Sequence, residues 1–258
     1  MKIFIVNLEG SVERRQSISL QCEKLGLPFE IFNAVDGRKF SQEELAAVTQ
    51  KDCYAVKPGE VGCALSHIYI YRKMIDEGIK TALILEDDAL LSDIVKTLVE
   101  VDPLANYNDE PKVLLLSKTN RIIDKKILDI NHQYAIYPVY HATTTHAYMI
   151  NLEAARNLEK LLFPVWMVAD KWQLFEDYSA IKTLAVYPEP VTLAEHAQQS
   201  VILEDGIDEN HIKKKKEIWL KIMANRPFKV KVRNRLRRMF TPLFYKIINV
   251  KKLRAQEQ

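Results

Sequence analysis

Apolar residues along this chain fall into two rhythms. Short runs of Ile, Val, Leu and Phe, dense enough for buried strands, alternate with longer stretches in which apolar positions return every three to four residues. The first run is "KIFIVNL", residues 2–8, and Ser11 then starts a helix expected to reach Leu25 and stop at Gly26. "FEIFNAV" predicts a second strand and Asp36-Gly37 a turn. Ser41 and Glu44 follow at the spacing of a capping box for a short helix. Pro58-Gly59 opens a helix over residues 60–77, closed by Gly78. Further strands are expected at "TALIL", "KVLLLS", "YAIYPVY", "THAYMI" and "TLAVYP", with a helix from Leu152 to about Leu162 and a loop over residues 102–111. Such alternation predicts an α/β sheet with helices packed on it.

The pattern changes near the end. Val232, Leu236, Met239, Phe240, Leu243, Phe244, Ile247 and Val250 recur at helical spacing, with Arg233, Arg235, Arg237, Arg238 and Lys246 between them. Pro242 is expected to bend or break this helix. The net charge of +3 hides a split: from Lys213 onward 16 Lys and Arg face 2 Glu, a balance of +14, so the remainder carries −11. An acidic body, residues 1–205, and a basic helical tail, 206–258, are therefore expected.

With 258 residues, 48% hydrophobic and 28% charged, the chain suits one large folded domain, or one domain with an appendage. Cys22, Cys53 and Cys63 have no metal-like or disulfide-like spacing, as expected of reduced cytosolic thiols. The first apolar run is interrupted by Asn7 and Glu9, unlike a secretory signal, and no apolar run is long enough to span a bilayer. A place on the cytoplasmic side is the expectation.

Three adjacent acids, Glu86, Asp87 and Asp88, follow "TALIL" directly. Packed carboxylates near a core are costly unless a positive partner meets them. At the carboxyl end of a strand in an open α/β sheet they suit a hard divalent cation, Mg²⁺ or Mn²⁺, that bridges nucleotide phosphates. An acidic turn facing water is the alternative. Neither a G-x-x-x-x-G-K-[ST] loop nor a G-x-G-x-x-G after the first strand is present, and with seven glycines there is little material for either. An enzyme that holds a nucleotide diphosphate mainly through metal and side chains remains.

The ordered pieces "IVNLEGSVERR", "AVDG", "GEVGCALSHIYIY", "ALILEDDALL", "TTHAYMINLEAARNL" and "PVWMVADKWQLF" resemble glycosyltransferase family 25 over about residues 1–200. That family includes bacterial lipopolysaccharide and lipooligosaccharide galactosyltransferases and collagen galactosyltransferases. The resemblance implies a GT-A-like nucleotide-binding α/β fold and inverting, metal-dependent transfer of a hexose. Galactose from UDP-galactose is the expected donor, and a lipid-linked lipooligosaccharide or lipopolysaccharide the acceptor.

It also implies site residues. Asp88, then Glu86, are the expected ligands of Mn²⁺ (or Mg²⁺), with His196 in "LAEHAQQS" as a late residue returning to the metal. Asn7 and Arg15 are expected at a first-strand nucleotide site, Arg15 ahead of Arg14. Ala34, Val35 and Asp36 match the segment that holds uridine, and Ser66 and His67 the "LSH" element. Asp87, Thr145 and His146 are placed with the nucleotide-sugar contacts. Asp170 is the leading candidate for the base that deprotonates the acceptor hydroxyl, though Trp166–Ala169 intrude into its "PVD"-like element. Glu176 and Asp177 are rivals, because an adjacent pair can split one pKa upward. Trp172 is a candidate platform for a sugar ring.

The basic amphipathic tail is expected to bind an anionic membrane surface, making the protein peripheral on the inner face of the cytoplasmic membrane. The competing reading is a non-catalytic protein that binds anionic lipid or nucleic acid through the tail. The acidic body argues against a polyanion groove, so no nucleic-acid partner is expected.

Overall fold

The computed structural model describes residues 1–107, 109–194 and 209–250. The elements run in the order β1 (Lys2–Asn7), α1 (Val12–Leu25), β2 (Glu30–Asn33), a 3₁₀ turn (Gly37–Lys39), α2 (Gln42–Val48), α3 (Pro58–Asp76), β3 (Thr81–Glu86), β4 (Ala89–Leu91) and α4 (Ile94–Val101). There follow β5 (Lys112–Leu115), β6 (Arg121–Ile123), β7 (Leu128–Asp129), β8 (Ala135–His141), β9 (Ala147–Asn151), α5 (Leu152–Leu162) and α6 (Trp172–Asp177). The chain closes with β10 (Lys182–Tyr187), β11 (Val191–Leu193), α7 (Glu209–Asn225), α8 (Phe228–Phe244) and β12 (Ile247–Asn249).

One large mixed sheet has the strand order β12-β6-β8-β10-β5-β9-β3-β1-β2, with β7 beside β8. Strands β2, β1 and β3 are mutually parallel, as are β5 and β10; the other pairs are antiparallel. The α/β sheet flanked by helices is thus as expected. Its two faces follow from alternation along each strand. Phe4, Val6, Ala82 and Ile84 pack against α3, α5 and α6, whereas Ile3, Ile5, Leu83 and Leu85 face Ile18 of α1 and Val95 and Leu98 of α4.

Local signals set the ends. Gly26 takes a left-handed φ of 69° and closes α1, and the Ser41–Glu44 capping box forms in both directions. The start of α3 lies directly on the loop after β2. A Cβ at Gly62 would stand 2.3 Å from the Val35 carbonyl oxygen, and one at Gly37 2.0 Å from that of Pro58. Only two glycines let these backbones meet.

The basic tail forms two helices that return to the body. On α7, Lys215 pairs with Glu60 and Trp219 packs on Tyr54 at 5.3 Å between ring centroids. Beyond α8, β12 pairs antiparallel with β6. Pro242 lies within the last turns of α8 without ending it; the helix runs on to Phe244. No helix among the described residues is long and apolar enough to cross a membrane.

Candidate active site

The carboxyl ends of three parallel strands, β1, β2 and β3, bring Leu8, Ala34–Gly37 and the acid triplet to one cleft edge, where open α/β sheets bind ligands. Helix α3 forms the opposite wall with Gly59, Cys63, Ser66 and His67. The positive group meeting the triplet is Arg14: its Nη2 lies 3.0 Å from Asp87 Oδ1 and 2.8 Å from Asp88 Oδ2. Buried Asn7 donates through Nδ2 to Asp87 Oδ2 at 2.7 Å, fixing the middle acid without itself lining the cleft. Asp88 Oδ1 and Arg14 Nε are buried with no hydrogen-bond partner.

Glu86 is held differently. Its Oε1 accepts a 2.5 Å hydrogen bond from Thr145 Oγ1 and lies 3.6 Å from His67 Nε2. Burial would raise this carboxyl, but His67 and then Thr145 outweigh it and hold the pKa at about 2. Asp88 is pushed up to about 6 by burial and next by the Glu86 charge, with Arg14 opposing both. The triplet therefore contains one firmly ionised acid and one that titrates just below neutrality.

Ser66 works as a bracket. Its hydroxyl donates to the Gly62 carbonyl and accepts from the Val35 N–H, both at 2.8 Å, tying α3 to the 34–37 loop. Asp36 lines the cleft but is engaged by Arg38, whose Nε and Nη2 lie 2.7 and 2.8 Å from its two oxygens and lower its pKa.

Past Cys63 and Glu86, which belong to both, the cleft continues into a recess lined by Glu60, Thr145, Val168, Ala169, Asp170, Lys171 and Lys215. Asp170 Oδ1 is buried there without a hydrogen bond, 3.4 Å from Lys171 Nζ. Thr145 reaches this recess because β9 pairs with β3, which places it against Glu86.

Several expected residues lie elsewhere. Arg15 is exposed; one step around α1, the helix phase points Arg14 at the acids instead. Asp177 is buried away from the cleft, taking Asn234 Nδ2 on Oδ2 at 2.6 Å and Arg237 Nε on Oδ1 at 3.1 Å. Glu176 beside it, bonded by Gln173, is raised to about 7 by burial, with Lys182 and Arg237 opposing. His146 is buried, its carbonyl accepting from the Glu86 N–H at 2.9 Å, and burial lowers its pKa. Trp172 is fully buried and donates to the Thr144 carbonyl, so it offers no ring to a sugar. His196 lies outside the described residues. The Ala194 N–H donates to the Asp88 carbonyl through the β4–β11 pairing, which returns the late chain to the triplet.

The oxygen donors fit a hard divalent cation: Asp88 Oδ1 is an orphaned buried acceptor, and Glu86 opens on both cleft and recess. Sequence reasoning ranked Arg14 below Arg15 and passed over Arg38 and Cys63. The four-residue spacing of Cys63 and His67 on one helix was the available signal for the cysteine.

Relatives of this chain are glycosyltransferases. An Aedes aegypti protein named glycosyltransferase 25 family member is 41% identical over 95 residues, 33% of this chain and 16% of that protein. A Haemophilus influenzae protein provisionally named a glycosyltransferase is 25% identical over 189 residues, 69% of this chain and 64% of the other. Procollagen galactosyltransferase 1 of Danio rerio is 21% identical over 168 residues, 61% of this chain and 28% of the relative. The chain thus spans less than two thirds of the length of each. The sequence model described as "Glycosyltransferase family 25 (LPS biosynthesis protein)" matches residues 1–172, more than half of the chain and every strand that builds the cleft. By that match the chain belongs to glycosyltransferase family 25.

Proposed function

We propose that the protein transfers a hexose, galactose from UDP-galactose, to a lipooligosaccharide or lipopolysaccharide acceptor with inversion at the anomeric carbon. The observation carrying this reading is the continuity of two half-sites. A cleft holding Arg14, the 34–37 loop and the triplet runs past Glu86 into a recess that presents Asp170. The galactose assignment draws on the name of the zebrafish relative.

Loop residues Ala34–Gly37 are suited to hold uridine, and Arg14 Nε is a spare donor for the diphosphate. Glu86 and Asp88 would hold Mn²⁺ or Mg²⁺; when bound, such an ion neutralises charge on the departing diphosphate. Asp170 receives the acceptor hydroxyl proton from the recess side as that oxygen bonds to the anomeric carbon. The bond from that carbon to the diphosphate oxygen breaks on the cleft side, and UDP leaves. Attack and departure on opposite sides give inversion.

The tail offers a reason for a lipid-linked acceptor. Phe228 is 80% exposed, Leu243 71% and Phe244 72%, and Arg235 and Arg238 lie exposed on the same helix. Exposed apolar and basic side chains together suit an anionic membrane on the inner face of the cytoplasmic membrane. Cutting the tail away would also strip Asp177 of its partners, so the cleaner test replaces Leu243 and Phe244 by Ser. Binding to anionic vesicles should fall while transfer to a short soluble acceptor persists; unchanged vesicle binding would remove the membrane role.

The deciding measurement for the reaction is a panel of nucleotide sugars with Mn²⁺ and a soluble oligosaccharide acceptor. UDP release from UDP-galactose, suppressed by chelator, is expected. Turnover of no nucleotide sugar would favour the non-catalytic binder of anionic lipid or nucleic acid.

A further inference from the structure

We propose that Cys63, His67 and Glu86 form a binding site for a borderline divalent metal ion such as Zn²⁺ or Co²⁺. The thiol, the imidazole and the carboxylate each offer one ligand atom, and these lie within 4.8 Å of one another. Nothing in the cysteine spacing along the chain suggests it. It arises because Cys63 and His67 stand one turn apart on α3 and the end of β3 delivers Glu86 between them. Bond lengths near 2.3 Å for sulfur and 2.0–2.1 Å for nitrogen put tetrahedral donors about 3.5 Å apart. Glu86 and Cys63 are the two ligands not fully buried, and their side chains would turn to reach that spacing.

The independent sign is His67 itself. The ring is 1% exposed, yet its Nε2 has no hydrogen-bond partner, and Glu86 Oε1 stands 3.6 Å away. A buried ring nitrogen left open in this way usually has a ligand to meet. The other nitrogen is already committed: Nδ1 lies 2.7 Å from Tyr148 Oη, which lies 2.8 Å from Tyr71 Oη. A metal ion would displace the Nε2 proton through which His67 holds Glu86, and the proton kept on Nδ1, donated to Tyr148, then leaves the Nε2 lone pair facing the site. That outer hydrogen bond is the device that orients metal-bound histidines elsewhere.

The donor set selects the ion. One sulfur, one nitrogen and one oxygen suit Zn²⁺ or Co²⁺ and are poor for Mg²⁺. Three protein ligands leave a fourth position, and Cys63 and Glu86 border both cleft and recess, so an ion can enter from either. One consequence rests on the transferase reading above: because Glu86 is shared, Zn²⁺ held here withdraws it from the donor's ion and inhibits transfer.

Co²⁺ titration of the full chain tests the site without reference to activity. A saturable thiolate-to-cobalt charge-transfer band in the near ultraviolet is expected. Zn²⁺ should displace it at equimolar addition, and a hundredfold excess of Mg²⁺ should leave it in place. Cys63→Ser should abolish the band and Cys53→Ser should keep it. His67→Asn, which can retain the Tyr148 hydrogen bond while deleting Nε2, should weaken Co²⁺ binding at least tenfold. If wild-type protein gives no band at saturating Co²⁺, or the band survives Cys63→Ser, the proposal is wrong, whatever the outcome of the nucleotide-sugar panel. A band with no inhibition of a working transferase by Zn²⁺ would leave the site standing and overturn only the sharing of Glu86.

Discussion

Two groups of adjacent acids, Glu86-Asp87-Asp88 and Glu176-Asp177, look alike along the chain and do opposite things in the fold. The triplet ends a parallel strand, borders a cleft, and keeps an oxygen of Asp88 buried and unbonded. The pair ends a short helix. Asp177 has Asn234 and Arg237 on its two carboxylate oxygens and Arg233 on its backbone carbonyl at 2.5 Å. One group has coordination left to give; the other has used its own to fasten α8. Adjacent acids are therefore diagnostic of chemistry only where their oxygens are unfilled.

The widest separation between the two groups should come from Asp88→Ala. Removing an expected metal ligand should cut kcat by about 10²-fold or more in the nucleotide-sugar assay and leave the melting temperature nearly unchanged. Asp177→Ala should do the reverse. Leaving the half-buried Arg237 and Asn234 without their acceptor should cost about 3 kcal/mol in denaturant unfolding, with kcat of the folded protein retained. Equal loss of activity at full stability from both variants would erase the distinction.

A smaller effect belongs to Glu176, whose pKa of about 7 in the fold exceeds its ordinary 4.5. Between those values the folded state keeps a proton that the unfolded chain has released. Stability is thus greatest below about pH 4.5 and declines as pH rises to about 7, by about 3 kcal/mol from this group. Glu176→Gln should remove that slope in melts run across the window. Last comes the pair on α1. Arg14→Ala should weaken donor binding about tenfold by freeing Asp87 and Asp88 to repel it. Arg15→Ala, at an exposed position, should stay within about 0.5 kcal/mol of the parent in binding and stability.

What the sequence disclosed follows how local each cause is. Strands β1 and β3, the caps of α1 and α2, and α5 are written in neighbouring residues and were legible. The three-residue strands β4, β11, β6 and β12 exist only through their partners; Ile247, expected on the helical stripe, instead leaves the helix after Phe244 and pairs with β6. Helix α7 falls inside the expected basic helical tail, but its lysine run reads as charge and hides its bounds. The site divided in the same way. Glu86–Asp88, the 34–37 loop and Thr145 gather around the cleft and its recess because strand ends carry them, and Ser66 and His67 join them from one face of α3. Arg14 against Arg15 turns on helix phase relative to the sheet, and the fate of Asp177 on residues of α8 far along the chain. Neither is visible before the parts are assembled.

The contact of Gly37 with Gly62 has a consequence for how such an enzyme can vary. The gap between the 34–37 loop and the helix that carries Ser66, Cys63 and His67 is set by two missing methyl groups. Adding either would act as a wedge, swinging three cleft residues at once while every one of them kept its identity. The spacing of that wall from the loop therefore has no intermediate setting: the joint accepts no side chain at either position without displacing backbone.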